Sequence, residues 1–97
     1  MRVLIADDSK AMRMIVLRTL RQSGLQIDEV HEAEDGADAL AAVSTFAPDL
    51  IMSDWNMPNM TGIEFLHNLR ASGNNTTFGF VTSDSNPSMK EQAIAAG

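Results

Sequence analysis

Two short apolar runs, each ending on carboxylates, constrain this chain more than any other feature. Residues 49 to 58 read Asp-Leu-Ile-Met-Ser-Asp-Trp-Asn-Met-Pro, so the run from Leu50 delivers one acid, Asp54, into a polar turn closed by Pro58. Near the amino terminus, Arg2 to Ala6 ends the same way on the pair Asp7-Asp8. Val3, Leu4, Ile5 and Ala6 show no polar alternation, as expected of a strand covered on both faces. Open α/β sheets built from such strands bind ligands beyond their carboxyl ends. The pattern therefore predicts an acidic pocket at one edge of a parallel sheet.

The segments between these runs supply the helices. Ser9 caps a helix running to about Ser23, with Met12, Ile15, Val16 and Leu20 at helical spacing and Gly24 as its stop. Residues near Ile27 to His31 read as a second strand, though the pattern is weak. Asp35-Gly36 opens an Ala-rich helix with Leu40, Val43 and Phe46 inward, ending before Pro48. Leu50 to Asp54 is the third strand and Trp55 to Gly62 a turn-rich loop. Ile63 to about Arg70 is a third helix, with Phe65, Leu66 and Leu69 as its apolar side. After the loop Ser72-Gly73-Asn74-Asn75 come a fourth strand, Phe78 to Ser83, and a helix capped by Asn86 with Pro87 in its first position. This β-α alternation implies a doubly wound parallel sheet with right-handed crossovers. Gly97 suits a helix end, and a further strand is expected after it.

At 97 residues the chain suits one domain, read as residues 1–97. It has no cysteine, so disulfides and thiolate metal sites are excluded. No apolar run reaches membrane-spanning length, and no signal peptide precedes the first acids, which together predict a cytoplasmic protein. The net charge of −6 disfavours non-specific binding to nucleic-acid phosphates.

Asp7, Asp8 and Asp54 should converge at the ends of neighbouring strands. Charges about 4 Å apart repel by roughly 4 kcal/mol per pair at an effective dielectric of about 20. A bound cation or a raised pKa relieves that repulsion. With oxygen donors only, the fitting cation is Mg²⁺, with Mn²⁺ as a substitute. Such a site suits phosphoryl transfer to a carboxylate. A lone Asp-Asp after a strand is ordinarily a helix-capping acid, and a lone Asp before such a turn is ordinarily an Asx turn. It is the pairing of the two that points to a site.

The runs Leu-Ile-Ala-Asp-Asp-Ser, Ser-Asp-Trp-Asn-Met-Pro-Asn-Met-Thr-Gly and Phe-Val-Thr-Ser, in that order and spacing, carry a resemblance. The chain resembles the receiver domain of two-component response regulators, and within it the single-domain chemotaxis regulators. The resemblance implies a flavodoxin-like (CheY-like) fold and a phosphorylation-controlled switch rather than an enzyme with turnover on a small substrate. It implies that Asp54 accepts a phosphoryl group from a sensor histidine kinase or phosphotransfer protein. Asp8, Asp54 and the backbone carbonyl of Asn56 would bind Mg²⁺, with Asp7 acting largely through water. Thr82 would be the switch hydroxyl, with the small Ser83 beside it leaving room for the phosphodonor. The Asn56 side chain would tune self-dephosphorylation, and Pro58 and Gly62 would shape the loop.

The family also carries a fifth strand ending in Lys-Pro and a fifth helix, for which this chain has no counterpart, so the receiver is expected to be C-terminally incomplete. No lysine here takes the family's conserved position. The fourth strand would then be an open edge of Phe78, Phe80 and Val81, inviting a strand-paired dimer.

Other residues read more plainly. Trp55 is a loop anchor. The methionines are mostly core filler, with Met14, Met57 and Met60 as a lesser candidate docking face. His31 and His67 are surface or strand residues. Arg13, Arg18 and Arg21 are solvated positions on the first helix. The competing functions are the receiver half of a longer regulator with a DNA-binding or other output domain and, more remotely, a Mg²⁺-dependent phosphohydrolase. The latter would want an acid at position 56, where Asn56 stands. A flavin module would need a Gly-rich phosphate loop after the first strand, which is absent.

Overall fold

Ser9 does what its position predicts: its side chain accepts from the Met12 N–H and starts a helix directly after the first strand. In the computed structural model, which describes residues 1–81, the elements run β1 (Arg2–Ala6), α1 (Lys10–Gln22), β2 (Glu29–Ala33), α2 (Gly36–Phe46), β3 (Leu50–Asp54), α3 (Gly62–Ala71) and β4 (Thr77–Val81). The strands form one parallel sheet in the order β2-β1-β3-β4. This is the expected doubly wound arrangement, with sheet order reversing beside β1. The helix expected from Asn86 and Pro87, and Gly97, lie outside the described residues.

Alternation along β1 sends Leu4 and Ala6 to one face and Val3 and Ile5 to the other. Leu4 and Ala6 join Ile51, Val43, Phe65 and Leu69 in the larger core, under α2 and α3. Val3 and Ile5 meet Val16 of α1, with Leu17, Leu20, Met52 and Val81 around them. In β4, Phe78 meets Phe65 edge-on in the larger core, while Val81 belongs to the α1 side.

Three readings need correction. Strand β2 begins two residues later than expected, because Ala33 rather than Ile27 enters the buried register beside Ala6. The inward stripe of α1 is Arg13, Val16, Leu17 and Leu20, so Met12 and Ile15 are 37% and 52% exposed. They border a shallow apolar recess shared with Leu20, Met52 and Val81. Arg13, read as solvated, is buried.

The ends of the helices explain the loops. Gly24 adopts a positive φ of 92° directly after α1. Ala47 ends α2 with φ 51°, because Pro48 disfavours the right-handed helical region at the residue before it. Helix α3 opens with a reciprocal capping box, Thr61 accepting from the Glu64 N–H while Glu64 accepts from the Thr61 N–H.

Candidate metal centre and phosphoacceptor site

The register of β1 on β3 builds the site. Ala6 pairs with Ser53, so the residues that follow, Asp7 and Asp54, emerge side by side from adjacent strands. Oxygens of Asp7, Asp8 and Asp54 all lie within 4.8 Å of one another. Because Ser9 caps α1, neither Asp7 nor Asp8 is used as its N-cap. The capping reading of the acidic pair is thereby excluded.

Asp7 is buried, Asp54 half-buried and Asp8 exposed. Burial pushes the Asp7 carboxyl above its ordinary range, and the nearby Asp54 and Asp8 push it further. The Ser9 N–H, which donates to Asp7 Oδ1 at 2.9 Å, offsets only part of this. Burial also raises the Asp54 carboxyl, with Asp8 adding to it, against opposing hydrogen bonds from the Trp55 N–H at 2.8 Å and from the Asn56 N–H. In both groups burial and the neighbouring acids outweigh the backbone donors. Three oxygen-donating carboxylates in this state fit a hard divalent cation that keeps part of its water shell.

The loop after β3 is tied down on two sides. The Gly62 N–H donates to the Trp55 carbonyl at 2.9 Å, and a Cβ at Gly62 would overlap the Asp54 carbonyl oxygen. Only glycine permits that approach. On the other side the Gly36 N–H donates to the Met60 carbonyl at 3.1 Å, and a Cβ at Gly36 would overlap the same carbonyl. Asn59, at φ 65°, donates from its side chain to Asp35 at 2.7 Å. Pro58 is exposed in the turn, where its carbonyl accepts from the Met60 N–H.

Asn56 is exposed on this loop, two residues beyond Asp54. Thr82 and Ser83 lie outside the described residues, although Val81, the residue before Thr82, pairs with Asp54. Trp55 packs against Phe80 in a tilted ring contact with centroids 4.9 Å apart, the contact of an anchor. Met57 is buried and Met60 packs on the core, leaving Met14 as the exposed member of that trio. His31 lies on β2 against Phe46, and His67 is exposed on α3.

Sequence reasoning missed Arg13, Gly36 and the Asn59–Asp35 link. It also passed over the Thr61-x-x-Glu64 signature, which was legible as a capping box. Arg13 gave no local signal, because the groups it bonds belong to other elements.

The profile of the response regulator receiver domain matches residues 3–97. The chain belongs to that family. Receiver domains are signalling phosphoacceptors rather than conventional enzymes; they take phosphoryl groups from histidine kinases and bind Mg²⁺ in an acidic pocket. This receiver domain is 44% identical over 71 residues to chemotaxis protein CheY-3 of Vibrio cholerae, an alignment covering 73% of the chain and 53% of that protein. The match thus spans about half the length of the curated relative. The fold is similar to that of V. cholerae chemotaxis protein CheY4, with a TM-score of 0.84 and 38% identity over 99% of this chain and 79% of the other. It is also similar to a LuxR-family DNA-binding response regulator from Staphylococcus aureus, with a TM-score of 0.86 and 25% identity over 98% of this chain and 78% of that one. No helix among the described residues is long and apolar enough to cross a membrane.

Proposed function

We propose that Asp54 is the phosphoacceptor of a cytoplasmic two-component phosphorelay serving chemotaxis or motility. The observation that carries this is the convergence of Asp7, Asp8 and Asp54 within 4.8 Å at the carboxyl end of the sheet. An Asp54 carboxylate oxygen attacks the phosphorus of a phosphohistidine on the kinase or phosphotransfer protein. The P–N bond breaks, the electron pair leaves on the imidazole nitrogen, and an acyl phosphate forms on Asp54. Asp8, Asp54 and the Asn56 carbonyl would hold Mg²⁺, with Asp7 acting through water. When bound, the cation offsets charge on the phosphoryl oxygens.

The chain's own residues prepare this step. Gly62 lets α3 approach the Asp54 carbonyl and so fixes where β3 ends. The Trp55 N–H orients the Asp54 carboxylate. Thr82 and Ser83 follow directly on the strand residue that pairs with Asp54, which supports their reading as switch hydroxyls. Asn56, two residues past the acceptor, is the candidate for tuning hydrolysis of the acyl phosphate.

The second reading makes this domain the receiver half of a longer regulator, and the likeness to a DNA-binding response regulator favours it. The coding sequence beyond codon 97 separates the two.

Phosphorylation is tested by intact-protein mass after incubation with acetyl phosphate. The expected result is a Mg²⁺-dependent gain of one phosphoryl group, absent in Asp54→Asn. An unchanged gain in that variant would place the acceptor elsewhere.

A further inference from the structure

Arg13 is a cation with 8% of its surface exposed, set in the first turn of α1. Both circumstances are unfavourable: burial strips the guanidinium of water, and the amino end of a helix already carries partial positive charge. Its bonds must offset these costs. Nη1 donates to the Asp7 carbonyl oxygen at 2.6 Å, and Nε donates to Glu32 Oε1 at 3.0 Å. One planar group thus bridges the end of β1 and the end of β2.

Those contacts grip the backbone between the two acids. The Asp7 N–H donates to the Ala33 carbonyl at 3.0 Å, its carbonyl accepts from Arg13, and its carboxylate accepts from the Ser9 N–H. The Asp7 carbonyl belongs to the peptide unit leading into Asp8. Holding that peptide plane sets the direction in which Asp8 leaves the chain. Glu32, which is half exposed, anchors the far side of the guanidinium.

We propose that Arg13 is a positioning residue for the cation site, locking the Asp7–Asp8 peptide so that both carboxylates face Asp54. This inference rests on the reading of the three acids as a Mg²⁺ site. Arg13 bonds the backbone and Glu32, so it acts through the geometry of a two-point fork, which a lysine ammonium does not reproduce. Groups that orient metal ligands from outside the coordination sphere typically change affinity by about 10–100-fold.

The test is calorimetric Mg²⁺ titration of wild type, Arg13→Met, Arg13→Lys and Val16→Ala, with urea unfolding in EDTA to give each folded fraction. Val16 is buried on the same helix away from the acids and controls for lost stability. Both Arg13 variants should bind Mg²⁺ about tenfold more weakly or worse, corrected for folding, while Val16→Ala binds like wild type. Wild-type affinity in Arg13→Met, or full restoration by lysine, overturns the inference and leaves the Mg²⁺ reading intact. Absence of Mg²⁺ binding in the wild type takes down both. If the Arg13 variants do not fold, Glu32→Ala decides, with weaker binding expected and unchanged affinity overturning the proposal.

Discussion

Asp35 follows β2 and Asp54 ends β3, so both stand at the carboxyl edge of the sheet, yet the fold treats them in opposite ways. Asp35 is engaged by the protein through both of its oxygens. One oxygen caps α2 through the Asp38 N–H at 2.7 Å and the other accepts from Asn59. The Asp38 N–H, with Asn59 behind it, holds the Asp35 carboxyl below its ordinary range. Glu64 is lowered in the same manner by the Thr61 backbone and hydroxyl. Asp54 and Asp7 are raised, by burial first and by neighbouring acids after it. An acid that the protein satisfies is structural; an acid it buries among other acids awaits a partner from solution.

The largest effect expected from breaking this arrangement lies in the glycine beneath the acceptor. Gly62→Ala forces a Cβ into the Asp54 carbonyl, and the strain should cost about 3 kcal/mol in urea unfolding. Acetyl phosphate should label what remains folded more slowly than wild type. Full stability in this variant would mean that the loop has slack the geometry does not suggest.

Next in size is stabilisation by the ion itself. At a hundred times its dissociation constant, Mg²⁺ should raise the unfolding free energy by about 2.7 kcal/mol. In metal-free protein the sign turns around for Asp54→Asn. Removing one of the crowded charges should stabilise the fold by about 1 kcal/mol, the scale of a solvent-screened contact at this separation. Asp35→Ala should instead lower the melting temperature, because a cap and a loop tie are lost together.

The smallest effect is the pH dependence, where the two sets of acids pull in opposite directions. Asp35 and Glu64 have depressed values in the fold. Their stabilisation is present above the ordinary carboxylate pKa and disappears as pH falls through the folded values. Asp7 and Asp54 have raised values, so metal-free protein gains stability as pH falls from neutral through them towards the ordinary range. Mg²⁺ should erase that gain, since it stabilises the ionised form. Urea unfolding across pH, in EDTA and in Mg²⁺, reads both slopes.

Much of this was legible in the chain. The third strand stands where its apolar run placed it, and Ser9 and Gly24 bound α1 as their chemistry dictates. The acids meet because two strand ends that read alike are neighbours in register. What escaped was set by contacts between elements. Helical spacing fits Met12 and Ile15 as well as Val16 and Leu17, and an arginine leading the true inward stripe disguised it. Strand β2 carries Glu29 and Glu32 among few apolar residues, so its register follows from pairing with β1 rather than from its own pattern. Gly36 looked like a helix opener; the close approach of Met60 that requires glycine arises only in the folded chain.

The most direct test of the division between satisfied and waiting acids is calorimetric Mg²⁺ titration of wild type, Asp54→Asn and Asp35→Asn under one condition. One Mg²⁺ per wild-type chain is expected, with the same affinity in Asp35→Asn and a loss of tenfold or more in Asp54→Asn. Equal binding by the two variants, or none in the wild type, would contradict it.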